Sequence, residues 1–305
     1  MPRASSNGRD SIAHFQILWH LVTVELEQVA DEVHAAVAYL VNSADHDVAP
    51  VATMHYRVSP TLQSDPDSND DGEGAAGFRA MTITEDGDHL TTVSSATEVL
   101  EVLYRRVHQR AFELASLRGW VRLHAASVDD VLRVLLVGPS GTGKTTLSCQ
   151  LRLDGMDVPA DESVLVRSGI ALPVARPFHI KPTMNRVLPR VHAAAELAPA
   201  LVDGSVRALD PRVLGGSWRI VARPVAAIVL LHRRDDGTGG TPVPLTTIET
   251  MPRLVQECFP NLEPPATLLR ELAGLLRVAR CYELSLSDLR AAADGVRSLA
   301  AGTIA

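Results

Sequence analysis

Val134-Leu135-Leu136-Val137-Gly138-Pro139-Ser140-Gly141-Thr142-Gly143-Lys144-Thr145-Thr146-Leu147 runs from an apolar strand through a glycine-rich turn into a helix. Gly138, Gly143, Lys144 and Thr145 satisfy G-x-x-x-x-G-K-[ST], the spacing of a phosphate-binding loop. The chemistry requires these residue types. Glycines let successive backbone N–H groups turn into one concavity, which side chains would otherwise fill. The helix that follows adds the positive end of its dipole at the same point. In such a loop Gly138, Ser140, Gly141, Thr142, Gly143, Lys144, Thr145 and Thr146 surround the phosphates. Lys144 reaches the β- and γ-phosphates, and the Thr145 hydroxyl is a ligand for Mg²⁺.

Reading outward, the helix runs to about Leu153 and Gly155 caps it. Ala160 to Val166 then reads as a strand with two acids, Asp161 and Glu162, at its start. Adjacent acids one helix after the loop are candidates for Mg²⁺ binding and general-base work. On a regular strand they would face opposite sides, so one role each is the natural division. Upstream, Trp120 to Val128 is a strand with His124 among apolar residues. A lone histidine there is a core residue unless a neighbouring strand brings a carboxylate alongside it.

Leu123-His124-Ala125-Ala126-Ser127-Val128, the loop, Asp154-Gly155 and Ala160-Asp161-Glu162 follow one another in an order that resembles the C-terminal domain of the HPr kinase/phosphorylase family. Arg176-Pro177-Phe178-His179-Ile180-Lys181 resembles the Arg-Pro-x-x-x-Lys segment of HPr-kinase-related proteins. The resemblance covers about Leu123 to Lys181. It implies a P-loop kinase domain of the HPr kinase/phosphoenolpyruvate carboxykinase type, with ATP and Mg²⁺. It also implies His124 as an active-site residue, Asp161 as the base on an acceptor serine, and Glu162 on the metal side. Two departures stand out. Glu162 replaces an Asp, and the family's longer signature around its protein-substrate face is missing, which leaves HPr and phosphorolysis without support. Some relatives in the wider group look like kinases that tailor ribosomal peptide precursors, as in lasso peptide pathways.

Before Gly119 the chain reads as a small α/β unit. Phe15 to Leu26 is expected as one strand, Glu27 to Val41 as a helix and Val51 to Val58 as a strand. Asp65 to Gly74 is a polar loop. Phe78–Thr84 and His89–Val93 form a hairpin through Asp86-Gly87. Ser95 to Glu98 is a capping box opening a helix to about Arg118. After the acids come a strand, Ile170 to Val174, and a stretch from Met184 to Gly216 that reads as a substrate-side insertion or lid. Pro224 to His232 is a buried strand, and Arg234 to Thr241 a glycine loop. Helices follow at Met251–Phe259 and Pro265–Leu276, then a strand at Arg277–Leu284. A last helix spans Ser287–Leu299 with Ser285 or Ser287 as its cap.

Composition narrows the function. The chain has 305 residues, is 46% hydrophobic and carries a formal charge of −7, which argues against non-specific nucleic-acid binding. Aromatics make up only 4%, too few for base-stacking platforms. Cys149, Cys258 and Cys281 stand far apart and read as reduced core thiols. The polar stretch Met1 to Asp10 lacks the apolar core of a signal peptide, and no apolar run reaches the length of a membrane span, so a cytoplasmic chain is expected. Among 29 basic residues only Lys144 and Lys181 are lysines. A background that favours arginine keeps lysine where a guanidinium cannot replace it, which makes Lys181 a candidate beside Lys144.

The sequence therefore predicts an α/β chain with an N-terminal unit over 1–118 and a P-loop catalytic domain over 119–305. Its function is an ATP- and Mg²⁺-dependent kinase acting on a Ser or Thr hydroxyl of a peptide or protein. Asp161, His124, Lys144 and Lys181 are its catalytic candidates, and Thr145, Glu162 and Asp161 its metal candidates. A small-molecule kinase on the same scaffold and a non-catalytic ATP-binding switch are the alternatives. No nucleic acid or membrane is expected as a partner, and self-association stays open.

Overall fold

The computed structural model describes residues 8–41, 44–61, 79–198, 206–233, 239–259 and 264–303. It is a mixed α/β structure in which the chain forms two compact units. The first lies within Met1–Ser43 and Ala49–Ala111, and the second within Ala44–Val48, Phe112–Ala198 and Arg207–Ala305.

In the first unit β1 (Arg9–Ile17) and β2 (His20–Val29) are followed by α1 (Asp31–Leu40). The short β3 (Asp45–His46) belongs to the second unit. Then come β4 (Ala52–Pro60), β5 (Met81–Glu85), β6 (Asp88–Val93) and α2 (Ala96–Leu117), whose residues from Phe112 onward belong to the second unit. The sheet order is β1-β2-β4-β5-β6. Only β2 and β4 are parallel, and α1 is the crossover between them. Alternation places Val22, Val24, Met54, Tyr56, Val58 and Ile83 in the core. The buried Glu85 accepts from Tyr56 Oη at 3.1 Å and from Arg106 Nε and Arg110 Nη1 at 2.6 Å each. Burial and the Glu85 charge push the Tyr56 phenol well above its ordinary range.

Two expectations for this unit are corrected. Phe15 to Leu26 is not one strand but parts of two, which fold back through Leu18-Trp19. Leu18 has φ +50° and is fully buried, so this turn is apolar and lacks the Gly, Asn or Asp that marks most turns. The helix starts at Asp31 rather than Glu27, because Glu27 to Val29 remain in β2. The Asp86-Gly87 turn is as read, with φ of +52° and +95°. The α2 cap is shared: Ser95 Oγ accepts from Glu98 N at 3.2 Å, while Glu98 Oε2 accepts from Ser94 N at 2.7 Å. The polar loop Asp65 to Gly74 lies outside the described residues.

The second unit begins with β7 (Val121–Asp129), β8 (Arg133–Val137) and α3 (Lys144–Leu153). Next are β9 (Asp157–Ala160), β10 (Ser163–Arg167), β11 (Ile170–Pro173) and β12 (Phe178–Ile180). A 3-10 turn (Pro182–Arg186) leads to α4 (Pro189–Ala195), β13 (Arg207–Leu209), a second 3-10 turn (Pro211–Leu214) and β14 (Arg219–Ile220). The chain ends with β15 (Arg223–His232), β16 (Val243–Leu245), α5 (Thr247–Gln256), α6 (Pro265–Val278), β17 (Arg280–Ser285) and α7 (Leu289–Ala300). The main sheet has the order β11-β10-β7-β8-β15-β17-β16, with β9 also on β7. Strands β8, β15 and β17 are parallel.

Helices cover both faces of this sheet, which is why β8 is apolar from Val134 to Val137. Val134 and Leu136 pack with Leu147 and Leu151 of α3 and Val296 of α7. Leu135 and Val137 face the other way, with Leu254 of α5 and Leu272 and Leu275 of α6. Each such fully buried side chain contributes about 1.5–3 kcal/mol.

Met184 to Gly216 is corrected in part. Met184, Leu188, Val191, Ala195 and Leu209 are buried in the core beside α3, so these residues are packed structure and not a lid. Residues 199–205 of that stretch, and 234–238 of the glycine loop, lie outside the described residues. The last helix is capped by Asp288, not Ser285 or Ser287: Asp288 Oδ1 accepts from Arg290 N at 2.9 Å and Ala291 N at 3.0 Å. All three cysteines are buried, and none forms a disulfide among the described residues.

Candidate active site

The loop from Gly138 to Gly143 joins β8 directly to α3, with Gly143 as N-cap at φ +115°. That φ favours glycine, and an added Cβ would lie 3.2 Å from Leu286 Cδ1, a close contact with the end of a side chain. Lys144 is 5% exposed. Its ammonium donates to the carbonyls of Gly138 and, at 3.3 Å, of Pro139. Burial pulls its pKa down to about 8, against the opposing charges of Glu257 and Asp161. Arg233 Nε donates to Thr142 O at 2.9 Å, a second cation against the loop.

Ala160 to Val166 is not one regular strand. Strand β9 ends at Ala160 and β10 begins at Ser163, leaving Asp161 and Glu162 in a bend. The register on β7 is the same on both sides of that bend, with Ser127 opposite Ala160 and His124 opposite Ser163. Ala125 N donates to Glu162 O at 3.1 Å and pins the bend to β7. From there Asp161 Oδ2 accepts a hydrogen bond of 2.7 Å from the Thr145 hydroxyl in the first turn of α3. Asp161 is 2% exposed, and its Oδ1 has no hydrogen-bond partner among the described residues. Arg176 Nη2 lies 3.8 Å from that Oδ1 and forms a close ion pair with Glu162. It is therefore Asp161 that touches Thr145, while Glu162 is engaged by Arg176.

His124 has the carboxylate partner its position called for, but not from an adjoining strand. Glu257 follows α5, and its Oε2 lies 3.0 Å from His124 Nδ1. The backbone joins the same two residues, His124 N donating to Glu257 O at 2.8 Å. With Glu257 ionised, His124 Nδ1 carries the proton. Burial, followed by the Lys144 charge, lowers the His124 pKa, so the imidazole is neutral near pH 7. Phe259 lies edge-on to the imidazole. Arg122 stacks on Phe259 and Phe112, at 3.5 and 3.9 Å from the ring centroids, and donates to Ser163 Oγ.

The structure thus brings together Lys144, Thr145, Asp161, Glu162 and His124. No hydrogen bond or ion pair joins Lys181 to them among the described residues. Lys181 is exposed at the start of the 3-10 turn, with no ion pair among the described residues. Arg176, Arg233 and Glu257 are the site residues missed from sequence. Arg176 sits in the quoted Arg-Pro segment and was within reach of that reading. Glu257 has no local signal, because a chain reversal far downstream places it.

The residues present fit Mg²⁺. A threonine hydroxyl and a buried carboxylate oxygen without a hydrogen bond are hard donors, and Mg²⁺ needs only one or two protein oxygens beside substrate phosphates. No group of three His, Cys, Asp or Glu that could hold a metal occurs among the described residues. No helix of the described residues is long and apolar enough to cross a membrane.

Fold and site together define an α/β chain with a glycine loop and a paired threonine and aspartate at one helix N-terminus. Comparison with known proteins adds little to that class. No family model matches the chain, and no curated protein matches it. Among solved structures it is similar to the HPr(Ser) kinase/phosphatase from Coxiella burnetii. That match has 14% identity and a TM-score of 0.34, and covers 60% of this chain and 99% of the other. A likeness of that size carries no argument about the chemistry, which rests on the residues themselves.

Proposed function

We propose that this chain is an ATP- and Mg²⁺-dependent phosphotransferase that places the γ-phosphoryl group on a Ser or Thr hydroxyl of a peptide or protein. The observation that carries this reading is the 2.7 Å bond between Thr145 and the buried Asp161, at the N-terminus of the helix that follows the glycine loop. Phosphoryl transfer asks a protein mainly for positioning and for charge where charge develops. The loop amides and Lys144 supply that charge. Lys144 now rests on two loop carbonyls and would exchange them for phosphate oxygens. Thr145 and Asp161 would hold Mg²⁺, which when bound neutralises developing charge on the phosphates. Arg176 holds the Asp161-Glu162 bend in place through its ion pair with Glu162.

Incubation with γ-labelled ATP and fractions of cell extract tests the proposal. Label on a peptide or protein is the expected result, and it should vanish in Lys144→Met. Label on a small metabolite would move the acceptor class, and MgATP binding without any transfer would make the chain a nucleotide-dependent switch.

A further inference from the structure

A cavity of about 570 Å³ opens beside the loop, and Gly138, Pro139 and Thr142 form one wall of it. The carbonyls of Gly138 and Pro139 on that wall are the ones that hold the Lys144 ammonium. The cavity is also lined by Glu257, Gln256 and Arg253 from α5 and the turn after it, and by Leu230 of β15. The cavity therefore shares its lining with the glycine loop.

Among the described residues that line this cavity, Glu257 is the one carboxylate. Three contacts fix it. Its backbone carbonyl accepts from His124 N, its backbone N–H donates to Leu254 O at 3.1 Å, and its Oε2 lies on His124 Nδ1. The next residue, Cys258, forms a bridge with Leu123, and Phe259 N donates to Arg122 O at 3.3 Å, so the turn is tied to β7 at the histidine and at the two residues before it. Oε2 is thereby used, and Oε1 accepts no hydrogen bond from the described residues. Asp161 is placed differently. It does not line the cavity, it is almost fully buried, and it is bound to Thr145.

Resting on the kinase reading above, we infer that this cavity is the acceptor site and that Glu257, oriented by His124, is the base that takes the acceptor's hydroxyl proton. The step balances without further reagents. The acceptor oxygen forms a bond to the γ-phosphorus as the bond from that phosphorus to the bridging β–γ oxygen breaks. ADP leaves with that electron pair, and the hydroxyl proton passes to Glu257 Oε1. His124 is a positioning residue, because a neutral imidazole with its proton on Nδ1 holds Oε2 and leaves Oε1 to the acceptor. Asp161 is left to the metal side.

The test uses the full chain, a fluorescent ATP analogue with Mg²⁺ for binding, and γ-labelled ATP with a serine- and threonine-containing peptide library for turnover, water being the acceptor always present. Glu257→Gln should bind the analogue within a few-fold of wild type and lose roughly 10²–10⁴ in turnover, the range for a missing general base. Asp161→Asn should instead lose Mg²⁺-dependent binding. Unchanged turnover in Glu257→Gln overturns the inference, and so does lost nucleotide binding in that variant. Intact binding with lost turnover in Asp161→Asn also overturns it, by placing the base there. If Glu257→Gln does not fold, His124→Ala and His124→Gln decide. The glutamine can still donate to Glu257, so its turnover should exceed that of the alanine variant at equal nucleotide affinity, and equal turnover counts against the inference. Wild-type binding with no transfer to peptide or water removes the kinase reading itself and the inference with it. That outcome is distinct from every variant-specific failure.

Discussion

Lys144 is buried in the free protein and held at a pKa of about 8, against an ordinary 10.5, so its charge is costly until phosphates arrive. The sign of the pH effect follows. Below about pH 8 both folded and unfolded chains hold the proton, and this group adds no slope. Between 8 and 10.5 the unfolded chain binds the proton that the folded chain has released, so stability from this group rises with pH. Thermal melts of wild type and Lys144→Met should show wild type gaining on the variant from about pH 8 to 10, and a flat or opposite trend would contradict the buried placement. Nucleotide binding should restore the charge and take up a proton near pH 8.5, which calorimetry in buffers of different ionisation enthalpy measures. Lys181 belongs at the same scale and stands apart. It is exposed and makes no ion pair among the described residues, so Lys181→Arg should leave nucleotide affinity unchanged by titration. A loss of affinity would return it to the site as the sequence expectation had it.

At the scale of elements, α5 matters because Glu257 is its C-cap. Its N-terminus has a complete capping box. Glu249 N donates to Thr246 Oγ1 at 3.3 Å, and Glu249 Oε2 accepts from Thr246 N at 2.8 Å. Thr246→Ala should cost about 1 kcal/mol in denaturant unfolding. The packing of α7 makes a sharper demand. A Cβ on Gly240 would lie 2.4 Å from Ala292 N, and one on Gly295 2.6 Å from Gly240 O, both against backbone. Gly240 also has φ +82°. Gly240→Ala should therefore destabilise by more than the ~1 kcal/mol on which point mutations centre, read as a lower denaturant midpoint at unchanged slope. What could be read in advance follows the same local logic. The glycine loop, the Asp86-Gly87 hairpin and the helix after Ser95 have short-range signatures, and each stands where it was read. The Leu18-Trp19 reversal has an apolar turn, so periodicity alone ran two strands into one. Glu257 was illegible because only the tertiary path after α5 brings it to His124. Asp161 was legible, but its bend was not, since two hydrogen-bonded strand pieces flank it in one register.

Across the whole molecule the three thiols offer a global probe. Cys149, Cys258 and Cys281 are buried, and burial pushes the Cys149 and Cys281 thiols up. A thiol reagent should label none of them in the native state and all of them after unfolding. Fast labelling of Cys258 alone would show that the turn carrying Glu257 opens independently of the core. The account as a whole stands on one claim, that the loop and the Thr145–Asp161 pair form a working MgATP site. Calorimetric titration of wild type and Lys144→Met with MgATP, followed by γ-labelled transfer on the same preparations, tests it most directly. The account predicts saturable, Mg²⁺-dependent binding and transfer in the wild type, and loss of both in a variant that melts cooperatively and no earlier than wild type near pH 7. Equal nucleotide binding and transfer by the two proteins would contradict it.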